Sequence, residues 1–303
     1  MINGLGISTS WNCRRHSSGK AIIDEIRSTG FETVELNFAL TEDTVAGILD
    51  EKEAGRITVS SLHNMCPLPA GVPAAKASPD YYSLASADEA ERAMAVKAAR
   101  TTLECAARFG AAAVVLHAGR VPVKDRTREL AGALGDPERS GAIRDEMARE
   151  RSGPAREALR NVIRSLDELV RAARPLGVAI GVENRYYYSE IPLFEEFEEL
   201  FSRYGDKELC YWHDTGHAEV FDRLGIGGHA GLLKRFGGRL IGMHLHDIIG
   251  PVTDHRPPGD GTFDFNIVKP YIKPATILVM EVHEPAAEAD IRRGAGRLTE
   301  ILR

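Results

Sequence analysis

Cysteine is scarce, with four in 303 residues (Cys13, Cys66, Cys105, Cys210), and no two stand in a CxxC spacing. That excludes a disulfide framework and a thiolate metal knuckle, and a reduced, cytoplasmic setting is expected. No uninterrupted apolar run reaches the ~20 residues that span a bilayer. The opening MINGLGISTS lacks the charged-then-apolar layout of a signal peptide, so no membrane partner is expected. A basic excess is also missing: 38 Lys and Arg stand against 44 Asp and Glu, a net charge of -6. This argues against a nucleic-acid partner held by its phosphates. No GxGxxG turn follows the first apolar run, and no low-complexity linker divides the chain. One domain over residues 1–303 is expected.

What is present is a repeating unit. Strand-like runs at Ile2–Thr9, Thr33–Phe38, Val59–Asn64, Ala112–His117, Val178–Glu183, Leu209–Asp214, the stretch from Ile241 and Thr276–His283 alternate with helical segments. Thr41 caps the second helix, and Gly110 ends the third. Leu159, Val162, Ile163, Leu166, Leu169, Val170 and Ala173 form a stripe of helical period in the fourth. The charged segment 120–151 is expected to hold a short helix, and Phe265–Ile272 another. The long loop from Met65 to about Ser86 has the length of a lid. Strands and helices in this alternation predict a closed parallel (β/α)8 TIM barrel.

In such barrels the site lies at the carboxyl ends of the strands. Six successive strands here end in residues that bind metals: His63, His117, Glu183, Asp214 with His217, His244, and Glu281. His255 follows in the loop of the stretch GMHLHDIIGPVTDHRPPGDG. A single histidine of this kind is usually structural, but the joint pattern points to a shared divalent-metal site. Arg185, Tyr186, Arg256 and Trp11 are placed to bind a substrate, with guanidinium groups for an anion and aromatic faces for a sugar ring. Glu35 and Asn37 share the inward parity of their strand. His246 has the same parity as His244 and reads as a supporting or substrate-contacting residue. His213 should pack behind its strand, and His16 and His229 read as ordinary loop or helix residues.

The motifs VEN, HDTGH, GMHLHD and HxPPGDG, with the glutamate of the eighth strand, resemble the xylose isomerase-like barrel superfamily. That group holds sugar and sugar-phosphate isomerases and epimerases and the endonuclease IV type of repair nuclease. The resemblance implies a metal held by Glu183, Asp214, His244 and Glu281, with Glu183 and Glu281 also exchanging protons. It implies one or two divalent ions (Mn, Zn, Mg or Co) and a small carbohydrate-like substrate, and it is compatible with a homo-oligomer. The nuclease branch adds ligands matching His63, His117, His217 and His255. It also uses an aspartate where this chain has Thr253, with Asp254 displaced by one residue, so a full third-metal site is not expected. The activity implied is isomerisation or epimerisation of a hydroxy-carbonyl compound through an enediolate. The alternative is a zinc phosphodiesterase of the endonuclease IV type.

Overall fold

The computed structural model describes residues 4–303. Eight parallel strands close into a barrel: β1 (Leu5–Ser8), β2 (Thr33–Leu36), β3 (Thr58–His63), β4 (Ala113–Leu116), β5 (Ala179–Glu183), β6 (Leu209–Asp214), β7 (Leu240–Leu245) and β10 (Ile277–Met280). Their order around the barrel is β1-β10-β7-β6-β5-β4-β3-β2, as the alternating pattern predicts. The expected start of the first strand at Ile2 lies outside the described residues. No helix among them is long and apolar enough to cross a membrane.

Several helices begin where a side chain satisfies a free backbone N–H group. Ser18 caps α1 (Gly19–Ser28), Thr41 caps α2 (Glu42–Glu53) and Asp88 caps α3 (Glu89–Phe109), which ends on Gly110 at φ 67°. The short helix expected in 120–151 is α4 (Thr127–Ala131), but the next helix begins much earlier than expected: α5 (Pro137–Ala173) runs unbroken for 37 residues, with Pro154 in its interior. Its buried stripe starts early, at Ile143 and Met147, and passes through Arg151. Arg151 is buried because Glu196 of α6 (Phe194–Arg203) accepts two hydrogen bonds from it, at 2.7 and 2.8 Å. A charged residue on the packed face hid the periodicity. The helix expected at Phe265–Ile272 is instead two 3-10 turns, Phe265–Ile267 and Lys269–Tyr271. Where a loop was expected after β7, an antiparallel hairpin forms from β8 (Asp247–Ile249) and β9 (Thr253–Arg256).

Inside the barrel, alternation sorts each strand into a floor residue and a site residue. Trp212 fills the floor with Ala113, Val115 and Val279, all fully buried. Two residues on from these stand Asp214, His117 and Glu281. Glycine makes room for the indole: a Cβ on Gly242 would fall 2.3 Å from the Trp212 ring, and one on Gly181 would fall 3.1 Å away. Gly242→Ala therefore forces overpacking against a side chain with no space to move into. A loss of about 1–3 kcal/mol is expected, read as a lower urea midpoint with an unchanged slope.

Candidate metal centre

Ligand atoms of Glu183, Asp214, His244 and Glu281 lie within 4.8 Å of one another at the barrel's carboxyl end. All four residues are buried. His244 Nδ1 stands 2.6 Å from Glu183, 3.0 Å from Glu281 and 3.6 Å from Asp214. Its Nε2 faces Glu35 at 3.0 Å, and Ser61 Oγ donates to the same carboxylate at 2.8 Å. Burial pushes the carboxyls of Glu183, Asp214 and Glu281 up, but the histidines around them outweigh it and hold all three well below the ordinary range. Burial disfavours charge on His244, yet Glu281, Glu35 and Glu183 push it well above the ordinary imidazole value. Four buried carboxyl groups gathered around one imidazole are a setting that a divalent cation would suit, since it would balance their negative charge. The donor set fits such an ion. Glu35 would hold the ring so that Nδ1 points inward, as a carboxylate commonly does behind a metal-bound histidine. Glu35→Ala should weaken metal binding by roughly 10–100-fold while leaving the ligands in place, as measured by competition with a chelating dye.

The flanking histidines are oriented in the same manner. His63 uses Nδ1 on the Asn64 carbonyl (2.9 Å), His117 uses Nδ1 on Asp80 (3.0 Å), and His217 uses Nδ1 on the Asn184 carbonyl (3.0 Å). In each case Nε2 is left facing the site. His117 Nε2 is 2.7 Å from Glu183, His63 Nε2 is 3.9 Å from it, and His217 Nε2 is 3.7 Å from Asp254. Burial, then the neighbouring His117, pushes His63 down to about 4, so it is a neutral donor at ordinary pH.

Three groups of potential ligands adjoin or overlap the central one: His63, His117 and Glu183 on one side, His217, Asp254 and His255 on the other, and Asp214, His246, His255 and Glu281. Asp254, displaced by one residue from the position that Thr253 occupies, stands in the second group, 3.2 Å from His255 Nδ1. The hairpin makes this geometry, with His255 at φ 52°, a left-handed conformation that L-residues rarely adopt. Asp247 shapes the turn beyond it, accepting N–H groups of Ile248, Gly259 and Phe263 at 2.8, 2.9 and 3.0 Å. A Cβ on Gly261 would fall 2.3 Å from Asp247 Oδ1, which is why this motif needs glycine there.

His246 is buried, and its Nδ1 accepts the His255 N–H at 2.9 Å. Its Nε2 must therefore carry the hydrogen, donating to Asp214 at 2.9 and 3.0 Å. Both ring nitrogens are thus engaged within the protein, and the ring braces Asp214. The ring stacks on His255 at 4.1 Å, and His255 stacks on His283 at 3.8 Å. His213 lies behind the strand, 2.6 Å from the Tyr211 hydroxyl. His16 pairs with Glu25 at 2.6 Å, near the surface. His229, read as ordinary, is 1 % exposed.

The expected substrate contacts fare unequally. Trp11 is fully buried and its Nε1 donates to the Ala286 carbonyl at 2.8 Å, so its face is not offered to a ligand. Arg185 is buried among carboxylates, 3.2 Å from Glu183, 3.1 Å from Asp80 and 2.7 Å from Glu190. It holds Glu183 in place instead of awaiting an anion. Tyr186 is half-buried beside His217, with its hydroxyl donating to the Val252 carbonyl at 2.6 Å. Arg256, half-buried, stands on β9 opposite Asp247. Asp80, on the long loop, escaped sequence reading altogether. It reaches His117, Arg185 and Arg120, and so latches residues 65–86 to the site. Nothing in SPDYY marks it, since loop residues carry no periodicity. Asp80→Ala should free the loop, seen as faster amide exchange over residues 65–86.

Among proteins of known sequence, "Uncharacterized protein y4fM" from Sinorhizobium fredii (strain NBRC 101917 / NGR234) is 26% identical over 178 residues, 59% of this chain. The match spans about half of that relative's length, 48%. Solved structures share the fold. A D-tagatose 3-epimerase-like protein superposes with a TM-score of 0.70 at 20% identity, covering 99% of this chain and 97% of its own. The IOLI protein with a bound zinc atom superposes with a TM-score of 0.64 at 15% identity, covering 99% and 98%. The sequence pattern of one family matches residues 23–301, nearly the whole barrel. The chain belongs to the xylose isomerase-like TIM barrel family.

Proposed function

We propose that this protein is a divalent-metal-dependent isomerase or epimerase acting on a sugar, sugar phosphate or related hydroxy-carbonyl compound. The observation that carries this reading is the inward convergence of Glu183, Asp214, His244 and Glu281, with Glu35 turning His244 toward the other three. Three carboxylates and one imidazole suit Mn, Zn, Mg or Co. When bound, such an ion supplies Lewis-acid polarisation of a substrate carbonyl. Glu183 on β5 and Glu281 just past β10 come from different sides of the barrel, with β6 and β7 between them. They are placed to take a proton from the carbon beside the carbonyl and to return one. His117 and Arg185 hold Glu183 ionised and oriented, while His255 faces Glu281 at 3.6 Å. Two proteins that share the fold, a D-tagatose 3-epimerase-like protein and the IOLI protein with a bound zinc atom, are in keeping with this reading.

The test is solvent exchange. A panel of free and phosphorylated ketoses in D2O, with each metal in turn, should show deuterium entering the carbon next to the carbonyl by NMR. No incorporation with any pair of ketose and metal would sink the proposal. A zinc phosphodiesterase is the second reading, favoured by the two adjoining groups, His63/His117/Glu183 and His217/Asp254/His255. The net charge of -6 counts against a nucleic-acid substrate. Cleavage of abasic-site DNA, with binding that weakens steeply with salt, would favour it over the first.

A further inference from the structure

A separate group lies on the outer helices α7 (Thr215–Arg223) and α8 (His229–Phe236). Ligand atoms of Glu219, Asp222 and His229 lie within 4.8 Å of one another. His229 is 1 % exposed, and its Nε2 is buried without a hydrogen-bond partner. Glu219 Oε2 lies 3.3 Å from it. We propose that Glu219, Asp222 and His229 form a second divalent-cation site, distinct from the barrel mouth, taking a first-row ion such as Zn2+ or Co2+.

The argument rests on hydrogen counting along a buried chain. Asn184 grips the backbone of Asp214: its Nδ2 donates to the Asp214 carbonyl at 3.0 Å, and its Oδ1 accepts the Asp214 N–H at 2.8 Å. The Tyr211 hydroxyl can therefore only donate to Asn184 Oδ1, at 3.1 Å. The Tyr211 oxygen must then accept from His213 Nδ1, at 2.6 Å. Among the described residues the fully buried His213 ring hydrogen-bonds only to Tyr211 and His229, so with Nδ1 donating to Tyr211 its Nε2 accepts from His229 Nδ1 at 3.0 Å. This leaves a lone pair on His229 Nε2 facing the Glu219 carboxylate. The opposite polarity only moves the fault, setting Tyr211 O against Asn184 Oδ1 with no hydrogen between them. A positive group between His229 and Glu219 completes every contact.

A cation fits that place better than a proton. The Nε2 to Oε2 approach lacks hydrogen-bond alignment, and Asp222 adds a second carboxylate. The other carboxylate oxygens are already engaged. Arg223 Nε donates to Glu219 Oε1 at 2.8 Å, and the His229 N–H donates to Asp222 Oδ2 at 3.0 Å. Gly228 allows this approach, since a Cβ there would lie 2.7 Å from the Asp222 carboxyl carbon. Asp222 is exposed, so water can complete the coordination shell. One imidazole with two carboxylates is a donor set that first-row divalent ions take. An ion there would pin α7 to α8 and, through Tyr211 and Asn184, brace the strand that carries Asp214.

The test uses full-length protein stripped with chelator, refilled with excess Co2+, passed through a desalting column and counted by mass spectrometry. His244→Ala removes a central ligand, and Glu219→Ala or Asp222→Ala removes an outer one, leaving no side-chain oxygen to replace it. In the His244→Ala background, adding either outer substitution should lower the count by about one equivalent and abolish the rise in Tm that Co2+ gives. Equal counts with and without both outer substitutions would overturn the proposal, as would an NMR spectrum showing His229 doubly protonated in Co2+-saturated protein. If the central site is misassigned, His244→Ala alone leaves the wild-type count unchanged while the outer difference persists.

Discussion

Glu281→Gln is expected to fold, to retain some metal, and to lose proton exchange by a factor of roughly 10²–10⁴, the range for removal of a general acid or base. The substitution keeps the size and one ligand oxygen and removes the group that takes the proton. Glu183→Gln should behave likewise, with an added cost because Arg185 and His117 would then face a neutral amide. The measurement is deuterium incorporation into the ketose by metal-loaded protein, with metal counted in the same sample. Were both residues ligands only, activity would follow metal content and return with excess ion. Full exchange in metal-bound Glu281→Gln would rule out the pair.

Asp214→Ala and His244→Ala should have the largest effect on metal content, because each removes a ligand from the buried central set. Asp214 has a further role as the N-cap of α7, accepting the His217 N–H at 2.7 Å. Its loss should also unseat His217 and destabilise the helix start by about 1 kcal/mol. His244→Ala leaves Glu35 buried without its imidazole partner, an uncompensated charge or a neutralised acid in the barrel. Chelator-stripped variants refilled with Mn2+ or Zn2+ and counted by mass spectrometry check both. Central stoichiometry equal to wild type in both would show that other residues hold the ion.

What was legible in the sequence was whatever follows a short period. Strand alternation put Trp212 and Asp214, or Gly242 and His244, on the same inward face, and the barrel aligned those faces at one end. Where packing hid a charge the reading failed, as at Arg151, whose ion pair with Glu196 carried one helix across a segment read as polar. The neighbourhood of Asp254 was hidden for a related reason, because the hairpin and the positive φ at His255 set it beside His217 and His255.

Local periodicity and residue type were enough to read the closed barrel, and the candidate ligands at its strand ends, from the chain alone. Only the tertiary structure decided which nitrogen of each histidine faces inward, since that depends on acceptors distant along the chain: Glu35 for His244, Asp80 for His117, Asn184 for His217. It likewise decided that Arg185 and Trp11 are committed to protein partners, and that His229 is buried with an unpartnered nitrogen. The physical reason is that burial and hydrogen bonding are properties of three-dimensional neighbours, and a loop such as 65–86 brings Asp80 to His117 with no repeat in its sequence to announce it.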